Sequence, residues 1–587
     1  MPNQFISFQS ICVFILLSGC VGDAHFRFLT TLGLDSDNPV ALSIVEPSAS
    51  SIHITCDNLS QFPLSGTCSH PGRAITLTTN ESELALATTS CSSQGTWSFG
   101  HFFAQVPAGS GSVLITHADS AGNTITRART YTKEPSAKGG VISDASDLIQ
   151  IQNNKSGCYH LLQNIDLHQV NWTHAQDLGS ESAPFTGTIN GNGFAIENLR
   201  SRGSFVGVTR GATFKNLHFT NMTLGEGAAT GGDGVVALAY ANASQQPTRF
   251  LNVHLINAEI LGSGIQNRIS MAGGLAAKAS AVEVRDSTAQ ITFRTTGYGE
   301  FLGGLVGAFH PDQSQATLPS SLLIENSRVR MELEWLPSAL NQAPQVTTSI
   351  LYSGGLIGEV YMPLNRDMSF GVNRTRVSLK AHADGQADEH GFFLIDSGGI
   401  VGNWGSRCPN PNEWWISETA IDLDVSIRSG QPLSGIHLFG GMVGRDLRLE
   451  RCFNARDVSI TGRLDVAHGR VLEVGGALGS SNSLSSSSKL HRIFSDLRFD
   501  LISTLYASSS RAFYAGSFSG NQISASGLFF NADLISPLMS LEQLALPLST
   551  TQMKTASTWI NAGYPTDVWI IQNGATPSLK NITAQFR

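Results

Sequence analysis

The chain has 587 residues, with 37 Lys plus Arg against 45 Asp plus Glu, a net charge of −8 and no basic run, so a nucleic-acid partner is not indicated. Only 14% of residues are charged and 59 are glycine; ordinary domains carry about 25% charged residues, and the low value suits a long β surface displayed outside a cell. No Gly-Lys dipeptide, His-Glu-x-x-His or Cys-x-x-Cys occurs, which removes the P-loop, the zinc-peptidase helix and the thioredoxin or zinc-ribbon pattern.

An apolar run, Ile11 to Leu17, leads into Leu17-Ser18-Gly19-Cys20. A membrane span needs about 20 residues, so the run reads as a secretion signal over residues 1–19. Small residues before a cysteine resemble the lipobox of bacterial lipoproteins. The resemblance implies cleavage before Cys20, a diacylglycerol on its thiol and an acyl chain, such as palmitate, on the new amine. Several such chains, at about 0.8 kcal/mol per methylene, form a stable membrane anchor. Val21 stands where an inner-membrane retention signal shows Asp, which implies an outer-membrane or cell-surface location, with 20–29 as a tether. Residues 1–19 carry no Lys or Arg, unlike a usual n-region; an ordinary signal peptide with an incidental cysteine is the alternative.

Residues 30–135 form a separate unit of Val-, Ile- and Thr-rich segments broken by turns. Gly66-Thr67-Cys68, Cys91, Gly95-Thr96-Trp97 and Asp119-Ser120-Ala121-Gly122-Asn123 resemble bacterial Ig-like domains, and about 100 residues is the size of such a sandwich. The resemblance implies a Cys68–Cys91 disulfide. Residues 136–142 are a Ser-, Ala-, Lys- and Gly-containing linker.

From residue 143 onward the chain repeats. A small pair, two apolar residues and another small residue recur, clearly at Gly303, Gly354, Gly398, Gly440 and Gly475, and in degenerate form at Gly203, Asp233, Gly273 and Ala515. The starts lie about 39 residues apart on average, a period of solenoids or propellers. Between them stand an apolar residue, a small polar turn residue and then period-two alternation, as in Phe214-Lys215-Asn216-Leu217, Leu251-Asn252-Val253 and Ile324-Glu325-Asn326-Ser327. Short strands, small residues at close backbone approaches and Asn at a repeating corner predict a β-helix of roughly nine coils. No segment supplies the four strands of a propeller blade.

The signature resembles the GLUG motif of bacterial surface proteins. So does the lead-in, 143–200, with Asn164-Ile165-Asp166-Leu167, Trp172 and Pro184 to Gly193, and so does the closing segment, 541–580, with Trp559, Trp569 and Pro577-Ser578-Leu579. This resemblance implies an all-β chain whose residues 143–580 form a right-handed parallel β-helix. Cys408 and Cys452 lie 10 and 12 residues after their own signatures, near-equivalent places on neighbouring coils, and are a second disulfide candidate. Cys56 and Cys158 pair across the linker or stay reduced.

Candidate chemistry is sparse. No catalytic, cofactor or metal residue is assigned. Asp166, His168, His174 and Asp177 crowd together, but Asp166 matches a structural position of the lead-in; Asp35 to Asn38 read as an Asx turn rather than a calcium loop. Acidic residues such as Asp388 with Glu389, and Asp422 with Asp424, are scattered in phase. Trp404, Trp414 and Trp415 flank the Pro-containing loop 405–413 and suit stacking on sugar rings or anchoring a protein, or fold back over the coil edge. The expected function is a lipid-anchored adhesin or interaction scaffold, its partners the membrane and a host or bacterial surface glycan or protein. The alternatives are a β-helix polysaccharide lyase or hydrolase and a purely structural envelope protein.

Overall fold

The computed structural model describes residues 39–56, 58, 63–80, 82–99, 106, 109–134, 139–225, 233–261, 269–295, 299–311, 320–335, 349–361, 368–385, 393–405, 414–446, 454–475, 489–501, 524–534 and 546–580. Cys20, Asp35 to Asn38, the loop after Trp335, Asp388, Glu389, Cys408, Cys452 and the signature at Ala515 lie outside them. The chain is mostly strand, and it divides into two compact units, Met1–Val141 and Ile142–Arg587.

The first unit holds two sheets. Leu42–Glu46, Leu64–Cys68 and Thr96–Phe99 form an antiparallel one. Ser51–Ile54, Thr124–Lys133, Gly109–Ala118, Ala74–Thr79 and Ser82–Ser90 form the other, in that order. Alternation puts Ile75, Leu77, Val113 and Ile115 inside at 0% exposure. A disulfide joins Cys68 to Cys91 with Cα atoms 5.9 Å apart. The Trp97 indole donates to the Ser43 and Thr67 carbonyls at 3.2 and 3.1 Å. Burial pulls the Lys133 amine down to about 8, and its Nζ donates to the Val106 carbonyl at 3.0 Å.

The second unit is a stack. Cys158–Leu161, Ile165–Asp166 and Asn171–Trp172 pair in parallel with Thr188–Asn190, Ala195–Glu197 and Arg200–Ser201. The pattern then repeats coil upon coil as far as Leu546–Leu548 on Phe529–Asn531. Because every such pairing is parallel and joins strands one period apart, like side chains fall into columns. One interior column runs Ile189, Phe214, Phe250, Val284, Ile324, Val372, Ile416, Ala455, Leu490, each at most 1% exposed. Continuous apolar columns are the core, and no coil could bury its face alone.

The signature builds one corner of each coil. A Cβ on Gly303, Gly354 or Gly398 would stand 1.8, 1.7 or 2.1 Å from the carbonyl oxygen three residues on. One on Gly304, Gly355 or Gly399 would stand 2.2, 2.3 or 2.2 Å from the carbonyl oxygen of the second glycine of the next coil. Hydrogen is the largest substituent that fits. The apolar pair behind, such as Leu356-Ile357 or Ile400-Val401, is buried at 0%. Gly355→Ala would drive its methyl into both Gly399 O and Val377 Cγ1, each at 2.3 Å. We expect a loss of about 3 kcal/mol, read as a lowered urea midpoint; an unchanged midpoint would show that the corner yields.

A second corner carries left-handed backbone. Asn216, Asn252, Asp286, Asn326, Arg374, Glu418, Asp457 and Arg492, one per coil, have φ between 48° and 56°. Asn and Asp adopt this region most easily among residues with a side chain. Their side chains bond along the stack: Asn252 Nδ2 donates to Asn216 Oδ1 at 2.9 Å, and Asn326 donates to Asp286. The amide ladder then gives way to ion pairs, Arg374 with Glu418 at 3.1 Å and Arg492 with Asp457 at 2.6 Å. The residue after the corner is a buried Ser287, Ser327, Thr375 or Thr419. Each hydroxyl donates to the carbonyl two residues back at 2.7–2.9 Å.

The closing segment adds the last rung. It also contributes Thr550–Met553 and Ala556–Asn561, the first helix started by a Ser549 capping box, and the hairpin Trp569–Ile570 with Ser578–Leu579. Its Leu548, Met553, Trp559, Tyr564 and Trp569 pack on Phe494 and Phe529 of the final coils. Covering a terminal edge this way satisfies a need of any strand stack.

Candidate functional site

Between residues 323 and 426 the coil exterior carries a half-buried apolar strip beside polar and charged columns. On the strand before the left-handed corner, Leu323, Gly371 and Trp415 lie in one outward column. Their chain neighbours Leu322, Ile324, Phe370, Val372 and Ile416 are buried at 0–1%. Gly371 has no side chain to fill its place, and a Cβ there would stand 3.2 Å from Leu323 Cδ1, so Leu323 leans across it. Trp415 is half-buried, with the Arg456 guanidinium of the next coil 5.4 Å from its ring centroid. Beside this apolar strip runs a polar ladder: Asn373 Nδ2 donates to Glu325 Oε1 at 3.3 Å, and Ser417 Oγ donates to Asn373 Oδ1 at 2.9 Å. A flat aromatic edge next to a row of amide, hydroxyl and carboxylate groups can hold a sugar ring by stacking and hydrogen bonds.

Trp404 is not part of that surface. Its column is Phe309, Val360, Trp404, which faces inward. The indole is 3% exposed and meets Phe370 edge-on at 5.1 Å. Sequence proximity to the Pro-containing loop grouped it with the exterior, whereas strand phase decides which side an indole faces. The Trp414 backbone pairs with Phe370, and its side chain lies outside the described residues.

Beyond the corner, the outward columns carry charge. In register they read Thr288, Arg328, Arg376, Ala420; then Gln290, Arg330, Ser378, Asp422; then Thr292, Glu332, Lys380, Asp424, Arg463; then Arg294, Glu334, His382, Ser426. Several carboxylates are held by cations on neighbouring coils. Glu332 takes Lys380 at 2.6 Å, and Arg294 bridges Glu259 and Glu334 at 2.5 and 2.7 Å. Glu325 takes Arg285 at 2.7 Å. Asp422 and Asp424 are exposed, and along their columns they stand next to Ser378 and Thr461, and Lys380 and Arg463, rather than other carboxylates.

Asp166 serves the stack: its Oδ1 accepts from the His168 amide and Asn198 Nδ2, both at 2.9 Å, and these bonds hold its carboxyl below the usual range. His174 instead meets Asp177 at 3.0 Å. Among the described residues, no group of three His, Cys, Asp or Glu side chains is placed to hold a metal. The structure also joins three residues that sequence reading left apart. Glu359 accepts from Asn403 Nδ2 at 2.8 Å and meets His310 Nε2 at 2.5 Å, with His310 beside the rings of Phe301 and Tyr361. Glu359 and Asn403 each follow the last glycine of their signature, which is the signal that relates them. The Glu359 side chain is 9% exposed, so the cluster ties coils together rather than opening to solvent.

No protein-family profile matches the chain, and no curated protein does. Among solved structures, it shows a likeness to a family 28 exopolygalacturonase of Yersinia enterocolitica. The identity is 9% and the TM-score 0.12, over 79% of this chain and 99% of that one, and a score so low carries no argument.

Proposed function

We propose that this chain is an exported scaffold that binds surface glycans through the exterior of a right-handed parallel β-helix. An Ig-like sandwich precedes the helix, and a lipid on Cys20 tethers the chain to the outer membrane or cell surface. The signature and lead-in support placing it with GLUG-motif surface lipoproteins, and the short apolar leader ending in Ser18-Gly19-Cys20 supports the anchor. The observation that carries the binding reading is the Leu323, Gly371, Trp415 strip with its Glu325, Asn373, Ser417 ladder. The neighbouring Glu332, Glu334 and Glu325 are engaged by cations. This favours binding over a hydrolase or lyase, which needs carboxyl groups set opposite each other across a substrate.

A glycan array probed with the full chain and with Trp415→Ala tests this. Loss of a central aromatic anchor should weaken binding about tenfold or more. Trp404→Phe, a change in the core, should alter stability and leave the glycan profile as it was. A Trp415→Ala profile identical to the parent would remove the site.

A further inference from the structure

The first unit carries two buried histidines whose rings lie side by side. His117, near the end of Gly109–Ala118, is 0% exposed, and His70, two residues past Cys68, is 5% exposed. Their ring centroids are 5.8 Å apart, with the planes tilted by 51°. Each ring is fixed through Nδ1. That of His117 lies 3.3 Å from the Ala74 carbonyl oxygen, which only accepts, so Nδ1 carries the hydrogen and Nε2 of the neutral ring is a bare lone pair. This Nε2 is buried and has no hydrogen-bond partner among the described residues. His70 Nδ1 lies 2.6 Å from Ser69 Oγ, which also accepts from the Ala41 amide at 2.8 Å. Nε2 is the remaining nitrogen of that ring. The turn that carries His70 is pinned: the Arg73 amide donates to the His70 carbonyl at 3.2 Å, and the Gly72 amide to the Cys91 carbonyl at 2.7 Å, next to the Cys68–Cys91 disulfide. A buried acceptor without a donor costs about 1–3 kcal/mol, and an electrophile brought to it removes that cost.

We propose that His70 and His117 bind a monovalent copper ion, Cu(I), through their two Nε2 atoms. A metal-ligating histidine has its other ring N–H held by an oxygen acceptor, which fixes tautomer and orientation. Here Ser69 Oγ and the Ala74 carbonyl play that part. Ligand number, spacing and charge select the ion. Among the described residues no third His, Cys, Asp or Glu side chain joins the pair. Zinc takes four ligands, or three with a water, whereas Cu(I) is satisfied by two and accepts imidazole readily. With each nitrogen about 2 Å from the ion, two imidazole centroids stand about 6 Å apart in a linear arrangement and about 5 Å apart in a tetrahedral one. The observed 5.8 Å fits the linear one. The cost of taking an ion out of water rises with the square of its charge, so this dry site tolerates a singly charged ion far better than a divalent one. Burial lowers the His117 pKa, which keeps its lone pair unprotonated at pH 7, and the Asp119 carboxylate just past the strand favours positive charge beside it.

The test titrates Cu(I), kept reduced with ascorbate under nitrogen, into the full chain after alkylation of any free thiols, in competition with the chelator ferrozine. The parent should withdraw one equivalent, and Zn(II) should bind at least about tenfold more weakly for want of ligands. His117→Asn keeps a nitrogen for the Ala74 carbonyl and removes Nε2. It should abolish the equivalent and leave the metal-free chain at least as stable as the parent, because an unpartnered buried acceptor is gone. His70→Asn should abolish the equivalent as well. Ser69→Ala, which removes only the oxygen that holds His70, should weaken copper binding about 10–100-fold; if Ser69 merely supports the turn, the folded variant binds copper as the parent does. Loading with Cu(I) should raise the melting temperature of the parent and leave that of His117→Asn where it was. Copper K-edge absorption of the loaded chain should report two nitrogen neighbours. If His117→Asn does not fold, His70→Asn and Ser69→Ala decide. No equivalent withdrawn by the parent, an equivalent retained in the folded histidine variants, unweakened binding in Ser69→Ala, Zn(II) bound as tightly as Cu(I), or a four-coordinate copper would each overturn the proposal.

Discussion

Arg492→Met is expected to lower stability by about 3–5 kcal/mol, because it leaves a carboxylate buried without its cation. Asp457 is 3% exposed and sits at the left-handed corner of its coil. Arg492 donates to both its oxygens, from Nε at 2.6 Å and Nη2 at 2.8 Å, and the Trp569 indole donates to Oδ1 at 2.9 Å. That indole arrives from the closing segment, 112 residues further along the chain, and packs with Tyr564, whose hydroxyl burial pushes well above its ordinary value. One carboxylate thus fastens two adjacent coils and the terminal cover together. Removing both charges while keeping hydrogen-bonding capacity, as in D457N/R492Q, should cost much less than R492M alone, since no unpaired charge remains. Urea unfolding of the parent, D457N, R492Q and the double gives the coupling directly. If the double is as damaged as R492M, the loss comes from packing and the ion pair is incidental.

Asp233 should make stability depend on pH in the direction opposite to a salt-bridged carboxylate. It occupies the first position of a signature, where the clear copies have glycine, and is 5% exposed, with Oδ1 lacking a hydrogen-bond partner among the described residues. Desolvation pushes its pKa up to about 7, against about 3.9 in an unfolded chain. The folded form therefore holds the proton more tightly. The stabilisation this brings is complete below about pH 4, declines as pH rises, and is gone above about pH 7, a swing of about 4 kcal/mol. Asp233→Asn cannot ionise. The difference in unfolding free energy between variant and parent should climb by about that amount from pH 4 to pH 8, which cancels the contribution of every other titrating group. A flat difference would mean that the carboxyl finds a cation or water in the native state.

Much of this architecture is written into local residue choice. Glycine at fixed intervals marks where backbones approach to within a Cβ radius, so the signature is legible wherever Gly354-Gly355-Leu356-Ile357-Gly358 or a relative appears. Asn at the opposite corner is likewise readable, because it adopts left-handed backbone readily. The same column becomes opaque further along, where Arg374, Glu418, Asp457 and Arg492 hold that conformation. Apart from Asp457, those residues have no intrinsic preference for it, and the ion pairs that accompany the column exist only once coils are stacked.

Phase and distance set the rest. Trp404 and Trp415 look alike in composition and neighbourhood, yet one lies between Val360 and Phe370 in the core and the other beside Gly371 on the exterior. A one-residue shift in alternation exchanges inside for outside, and the irregular length of each loop resets that alternation from coil to coil. The adjacency of Arg328 and Arg376, and of Trp569 and Asp457, follows from register between segments dozens to more than a hundred residues apart. The chain alone determined the period, the two corners and the apolar columns, since these depend on the steric demands and hydrophobicity of single residues. Which charges stand side by side, and which ring faces outward, only stacking could decide, because each is a property of a column and no single coil contains one.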